Sequence, residues 1–98
     1  MLIRIVRMTF KPEYQEAFRT LFETHKYKIR AFEGCRHLEL LQDTQQPEVF
    51  VTYSLWESEE HLNAYRHAPL FEEVWSQTKA MFADKPYAFS TVKVDEVM

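Results

Sequence analysis

Ninety-eight residues, 46% hydrophobic and 28% charged, are the make-up of one small globular domain and exclude a disordered chain. Twelve Lys and Arg against fifteen Asp and Glu give a net charge of -3 with neither sign gathered into a block, which argues against a nucleic-acid partner. The single cysteine, Cys35, excludes an intrachain disulfide and a Cys-based zinc site, and the single glycine, Gly34, excludes the glycine-rich loops that cradle phosphates.

In chain order, residues 2–10 (LIRIVRMTF) are rich in β-branched and apolar side chains and stop at Pro12, predicting a first strand. From 13 to 32 the apolar positions Tyr14, Phe18, Leu21, Phe22, His25, Ile29 and Phe32 recur every three or four residues, predicting an amphipathic helix that ends before Gly34. Residues 36–42 and 48–56 read as two strands joined by the five-residue loop 43–47, a hairpin. Ser58 is placed to cap a second helix, with Glu59 and Glu60 complementing its dipole. Pro69 should break or kink that helix, restarting a segment that runs to about residue 83. Residues 87–97 alternate as a fourth strand.

The order β-α-β-β-α-β predicts an α+β ferredoxin-like sandwich, an antiparallel sheet with both helices on one face, across residues 1–98 as a single domain. The sheet is apolar on both sides. Val49, Val51, Tyr53 and Leu55 point one way and Phe50 and Trp56 the other, while Leu2, Val6, Met8 and Phe10 oppose Ile3 and Ile5. A solvated face should alternate to polar residues, so a face-to-face homodimer through the sheets is expected. No apolar run approaches the roughly 18 residues that span a bilayer, and the opening residues are too interrupted for a signal peptide. The expected compartment is the cytoplasm, with no membrane partner.

The turn Phe32-Glu33-Gly34-Cys35, the run Trp56-Glu57-Ser58 leading into a helix, and Ala68-Pro69-Leu70-Phe71 within it resemble the antibiotic biosynthesis monooxygenase-like family of dimeric α+β barrels, over nearly the whole chain. That resemblance implies a pocket between helices and sheet. In the catalytic members it implies oxygenation of phenolic or quinol substrates by O2 without metal or flavin, hence no cofactor. Many members have a histidine where this chain has Tyr65, another where it has Leu70, and a glutamate at Ser54. The related haem-degrading enzymes carry Asn, Trp and His where Val6, Tyr65 and Trp75 stand, which disfavours a haem-degrading role.

Oxygenation without a cofactor needs a base to form the substrate anion, an apolar pocket and a donor near the developing charge. His25 on the apolar face of the first helix and Tyr65 at the family's polar pocket position are the candidate proton handlers, though each also fits a structural hydrogen-bonding role. Phe22, Phe71, Trp75 and Phe82 are suited to line a cavity for a small aromatic ligand, or to fill an ordinary core. Val6 shares a strand face with Arg4, whose guanidinium becomes an oxyanion partner if that face meets the helices and otherwise reaches solvent. His61, His67 and Glu57 supply too few convergent ligands for a metal. The alternative from another class is a non-catalytic dimer that binds a small hydrophobic metabolite.

Overall fold

The computed structural model describes residues 1–98. It is built on four strands, β1 (Leu2–Thr9), β2 (Cys35–Gln42), β3 (Val49–Trp56) and β4 (Tyr87–Val92), in the sheet order β2-β3-β1-β4 with every neighbouring pair antiparallel. Helices α1 (Gln15–Arg30), α2 (Glu59–Arg66) and α3 (Pro69–Lys79) supply the other layer. This is the ferredoxin-like sandwich, a slab of 38 × 34 × 21 Å.

The element ends depart from the sequence expectation for identifiable reasons. The strand expected through Phe10 stops at Thr9, and Phe10 keeps only an isolated bridge to Phe82. The helix expected over 13–32 is shorter at both ends. Pro12 opens a 3-10 turn (Pro12–Tyr14) before α1, and beyond Arg30 the chain tightens through a Phe32 N–H to Ile29 carbonyl bond of 3.1 Å. The hairpin loop gains a residue, because Glu48 stays outside β3. Its turn is held by the Asp43 carboxylate, which accepts from the Gln45 and Gln46 amides at 2.8 and 2.9 Å.

Ser58 caps α2, its hydroxyl accepting from the His61 amide at 3.2 Å. Pro69 does break the helix. Ala68 is extended at φ -84, ψ 152, and Pro69 becomes the first residue of α3, where its missing N–H costs nothing. The second helical segment ends at Lys79 rather than 83, since Phe82 is drawn into the bridge with Phe10. β4 stops at Val92 rather than 97 because it lies at the sheet edge and its one partner, β1, runs out of register at the Leu2–Val92 pair.

Period-two alternation decides what each sheet face presents. On the helix side, adjacent rows read across the sheet as Leu40-Thr52-Val6-Ala88 and Leu38-Ser54-Arg4-Ser90. These two rows are flanked by separate cores. One consists of Met8, Phe10, Phe18 and Phe50, with Trp75 and Phe82 packed on it. The other consists of Cys35, Trp56 and Leu62, with Phe32 and Tyr65 packed on it. Thr52, Ser54, Arg4 and Ser90 put polar groups into the middle of the sheet between the two cores, while Val6 and Leu40 pack on the first core and Leu38 on the second.

Candidate active site

Between those two cores lies a cavity of about 260 Å³. Its floor is the polar stretch of sheet around Arg4, Val6, Thr52 and Ser54. Phe22 of α1, Tyr65 of α2 and Phe71 and Trp75 of α3 close it from the helix side. The break at Pro69 makes this geometry: α2 follows the Cys35–Trp56 core while α3 turns toward Phe10, and the space between them is left over the sheet. An apolar cavity of about 150 Å³ is enough for benzene, so this one suits one or two fused rings. Phe71 and Trp75 are stacked, centroids 5.7 Å apart and 16° from parallel, and present a flat wall to such a ring.

Of the side chains singled out in the sequence, Arg4, Val6, Phe22, Tyr65, Phe71 and Trp75 line this cavity. His25 and Phe82 do not. His25 is buried at the contact of α1 with α3. Its Nδ1 lies 3.0 Å from the Leu21 carbonyl, so that nitrogen carries the proton, and its Nε2 is 3.8 Å from Glu73. It thus takes the structural role of a histidine joining two helices. Phe82 packs on Phe10 and Trp75 at centroid distances of 5.3 and 5.6 Å, behind the cavity wall.

The polar lining is unusual in kind. The polar residues lining the cavity are Arg4 and Arg66 and the hydroxyl-bearing Thr52, Ser54, Tyr65 and Thr78, with no acidic residue and no histidine. Arg4 donates to the Ser90 hydroxyl at 3.1 Å and is in no ion pair. Its partial burial, and next the charge of Arg66, lower its pKa from the ordinary value. The Ser54 hydroxyl accepts from the Trp56 indole N–H at 3.0 Å and keeps its own proton for a further partner. Tyr65 is stacked on Trp56 at 5.0 Å and edge-on to Phe32 and Phe71 at 5.3 and 5.2 Å. Burial, with a smaller contribution from Cys35, drives the Tyr65 phenol well above its ordinary pKa. The phenol is therefore a proton-bearing donor, and it is ill suited to act as a base.

Thr52, Ser54 and Arg66 were not named as lining residues from the sequence, where Ser54 figured only as the position of a glutamate in many family members. The first two had a visible signal: polar residues on the helix-facing side of a strand whose other positions on that side are Phe50 and Trp56. Arg66 had none, because an arginine in the last turn of a helix ordinarily serves the helix dipole. Outside the cavity, Glu57 pairs with Arg36 and lies 3.8 Å from His61, which leaves no group of three metal-ligating side chains.

Residues 1–76 match the profile of the antibiotic biosynthesis monooxygenase family. The chain belongs to that family. Among solved structures, an antibiotic biosynthesis monooxygenase superposes with a TM-score of 0.91 at 21% identity, covering 97% of this chain and 100% of that one. Rv0793 from Mycobacterium tuberculosis gives 0.88 at 21% identity over 99% and 98% of the two chains. A conserved protein from Methanosarcina mazei Go1 gives 0.88 at 21% over 95% and 93%. At such identities these likenesses establish the shared fold. No curated protein matches the chain in sequence.

Proposed function

We propose that this member of the antibiotic biosynthesis monooxygenase family oxidises a small phenolic or quinol-type aromatic with O2 and without a cofactor, as a homodimer joined through its sheet faces. The observation that carries the reading is the cavity itself: flat apolar walls around an unpaired guanidinium. The ionised form of a phenol gives an electron to O2 far more readily than the neutral form, so the site must favour the anion. Arg4 does this electrostatically. A cation within about 4–6 Å lowers the pKa of an acid by about one to three units, and the proton leaves to solvent through the open mouth. The substrate anion and O2 combine at the ring carbon para to the oxygen, giving a ring hydroperoxide. Loss of water, assisted by hydrogen bonding from the Tyr65 hydroxyl, leaves a quinone. One phenol and one O2 thus yield one quinone and one water.

Incubation of the protein with 1-naphthol in air and a metal chelator tests this. The expected result is O2 uptake matching quinone formation mole for mole, with one oxygen of the product derived from labelled O2. Tyr65→Phe should lower kcat by about tenfold or more, the usual effect of removing a positioned donor, while His25→Ala, outside the cavity, should keep the turnover. Naphthol binding with no O2 uptake would overturn the catalytic reading in favour of a second one. That second reading, a dimer that only binds an aromatic metabolite, is favoured by one observation: no carboxylate or imidazole lines the cavity.

A further inference from the structure

Two arginines line one small cavity, and they stand at different depths. Arg4 projects from the central strand β1, flanked in register by Ser54 of β3 and Ser90 of β4, and is half-buried. Arg66, the last residue of α2, is exposed and lines both the cavity and the shallow groove outside it between α2 and α3. Neither makes an ion pair, although acidic side chains outnumber basic ones in the chain. Arg66 makes no side-chain hydrogen bond either. Its neighbours in the outer groove include His67, Lys79 and one acid, Glu72. Two cations near one another repel, and no carboxylate pairs with either of them. A ligand bringing its own negative charge would relieve the repulsion.

One ionised phenol oxygen answers Arg4 alone. We propose that the substrate also carries a carboxylate, remote from its reactive hydroxyl and off the carbon para to it, and that Arg66 holds this carboxylate at the mouth while Arg4 faces the hydroxyl. The inference rests on the phenol-oxidising reading above and adds the substrate class: a hydroxyarene carboxylate of one or two fused rings. The rings fit the space between the Phe71–Trp75 wall and the sheet, and the carboxylate, expensive to bury unpaired, sits where water and a planar guanidinium both reach it. The exposed position of Arg66 also gives it a part in drawing the anion to the mouth.

Binding without O2 tests the inference separately from turnover. Under argon, the Kd values of 5-hydroxy-2-naphthoate, its neutral amide and 1-naphthol are measured by quenching of tryptophan fluorescence, for the wild type and for Arg66→Gln. The expected result is that the carboxylate binds at least about tenfold more tightly than the amide, the usual scale of a charge-assisted contact. That advantage should shrink in high salt and vanish in Arg66→Gln, with 1-naphthol binding unchanged. Equal affinity for carboxylate and amide would overturn it. So would an Arg66→Gln loss shared by all three ligands, which would mark Arg66 as merely structural. Circular dichroism melts of the variant separate either result from misfolding. A carboxylate preference with no O2 uptake from any hydroxyarene would sink the oxidative reading alone, whereas naphthol oxidation with no carboxylate preference would sink this inference alone.

Discussion

Tyr65 shows how one residue's surroundings settle its chemistry. A phenol enclosed by Trp56, Phe32 and Phe71 loses the hydration its anion needs, so its proton is held more firmly than in water. The same shift is a statement about stability. The folded-state pKa lies above the unfolded value of about 10, so above that pH the folded protein keeps a proton that the unfolded chain releases. Stability from this group is fully present below about pH 10 and falls as pH rises further. Urea unfolding followed from about pH 9 to pH 11.5 should show the wild-type midpoint dropping more steeply than that of Tyr65→Phe; parallel curves would contradict the assignment. His25 shows the limit of reading a residue from its helical face. Phe18, Leu21, His25 and Ile29 are all buried positions of α1, but they do not all face the same neighbour. Phe18 and Ile29 border the cavity, while His25 turns toward Glu73 of α3. Periodicity reports which side of a helix is covered and is silent about what covers it.

At the scale of elements, the junction between α1 and β2 depends on one position. Gly34 has φ +89, and a Cβ placed there would come within 2.4 Å of the His61 Cβ and Cγ at the start of α2. Gly34→Ala should therefore destabilise the fold by about 3 kcal/mol, combining left-handed strain with overpacking. A urea-derived loss below about 1 kcal/mol would refute that reading of the junction. The order of the elements was legible in the sequence because each carries its own punctuation: Pro12, Gly34, the Asp43 loop, Ser58 and Pro69. The ends were not, because they are fixed by distant partners. β4 terminates where β1 ceases to offer Leu2 as a partner, and α3 terminates where Phe82 is captured by Phe10. The cavity was legible only in part. Its aromatic wall follows from helical spacing, and Arg4 from strand alternation. Its cationic character was hidden, because whether Arg66 meets Arg4 depends on how α2 and α3 splay at Pro69 over the rows of Ser54 and Thr52.

On the scale of the whole molecule, the sheet offers two apolar faces and the helices take one. The other bears Ile3, Ile5, Val51, Tyr53 and Leu55, none of them buried within the protomer, and the exposed Leu41, Tyr87 and Phe89, along with the polar Arg7, His37 and Glu39 and, at one end, the buried Val49. A monomeric protein of 11.9 kDa is expected to expose about 5,900 Å², yet this protomer exposes 6636 Å². Part of that excess belongs to the extended tail, residues 93–98. A second copy meeting this face sheet to sheet would cover it and leave both cavities on the outer, helix-clad sides. In the proposed dimer the sheet-to-sheet contact would supply burial that the polar groups on the cavity floor forgo, leaving the cavity free for a ligand. Light scattering at micromolar concentration measures this most directly: the account predicts a particle of twice 11.9 kDa, reduced to the single-chain mass by Ile5→Lys with Tyr53→Glu. A wild-type protein of single-chain mass, folded and able to bind an aromatic ligand, would contradict it.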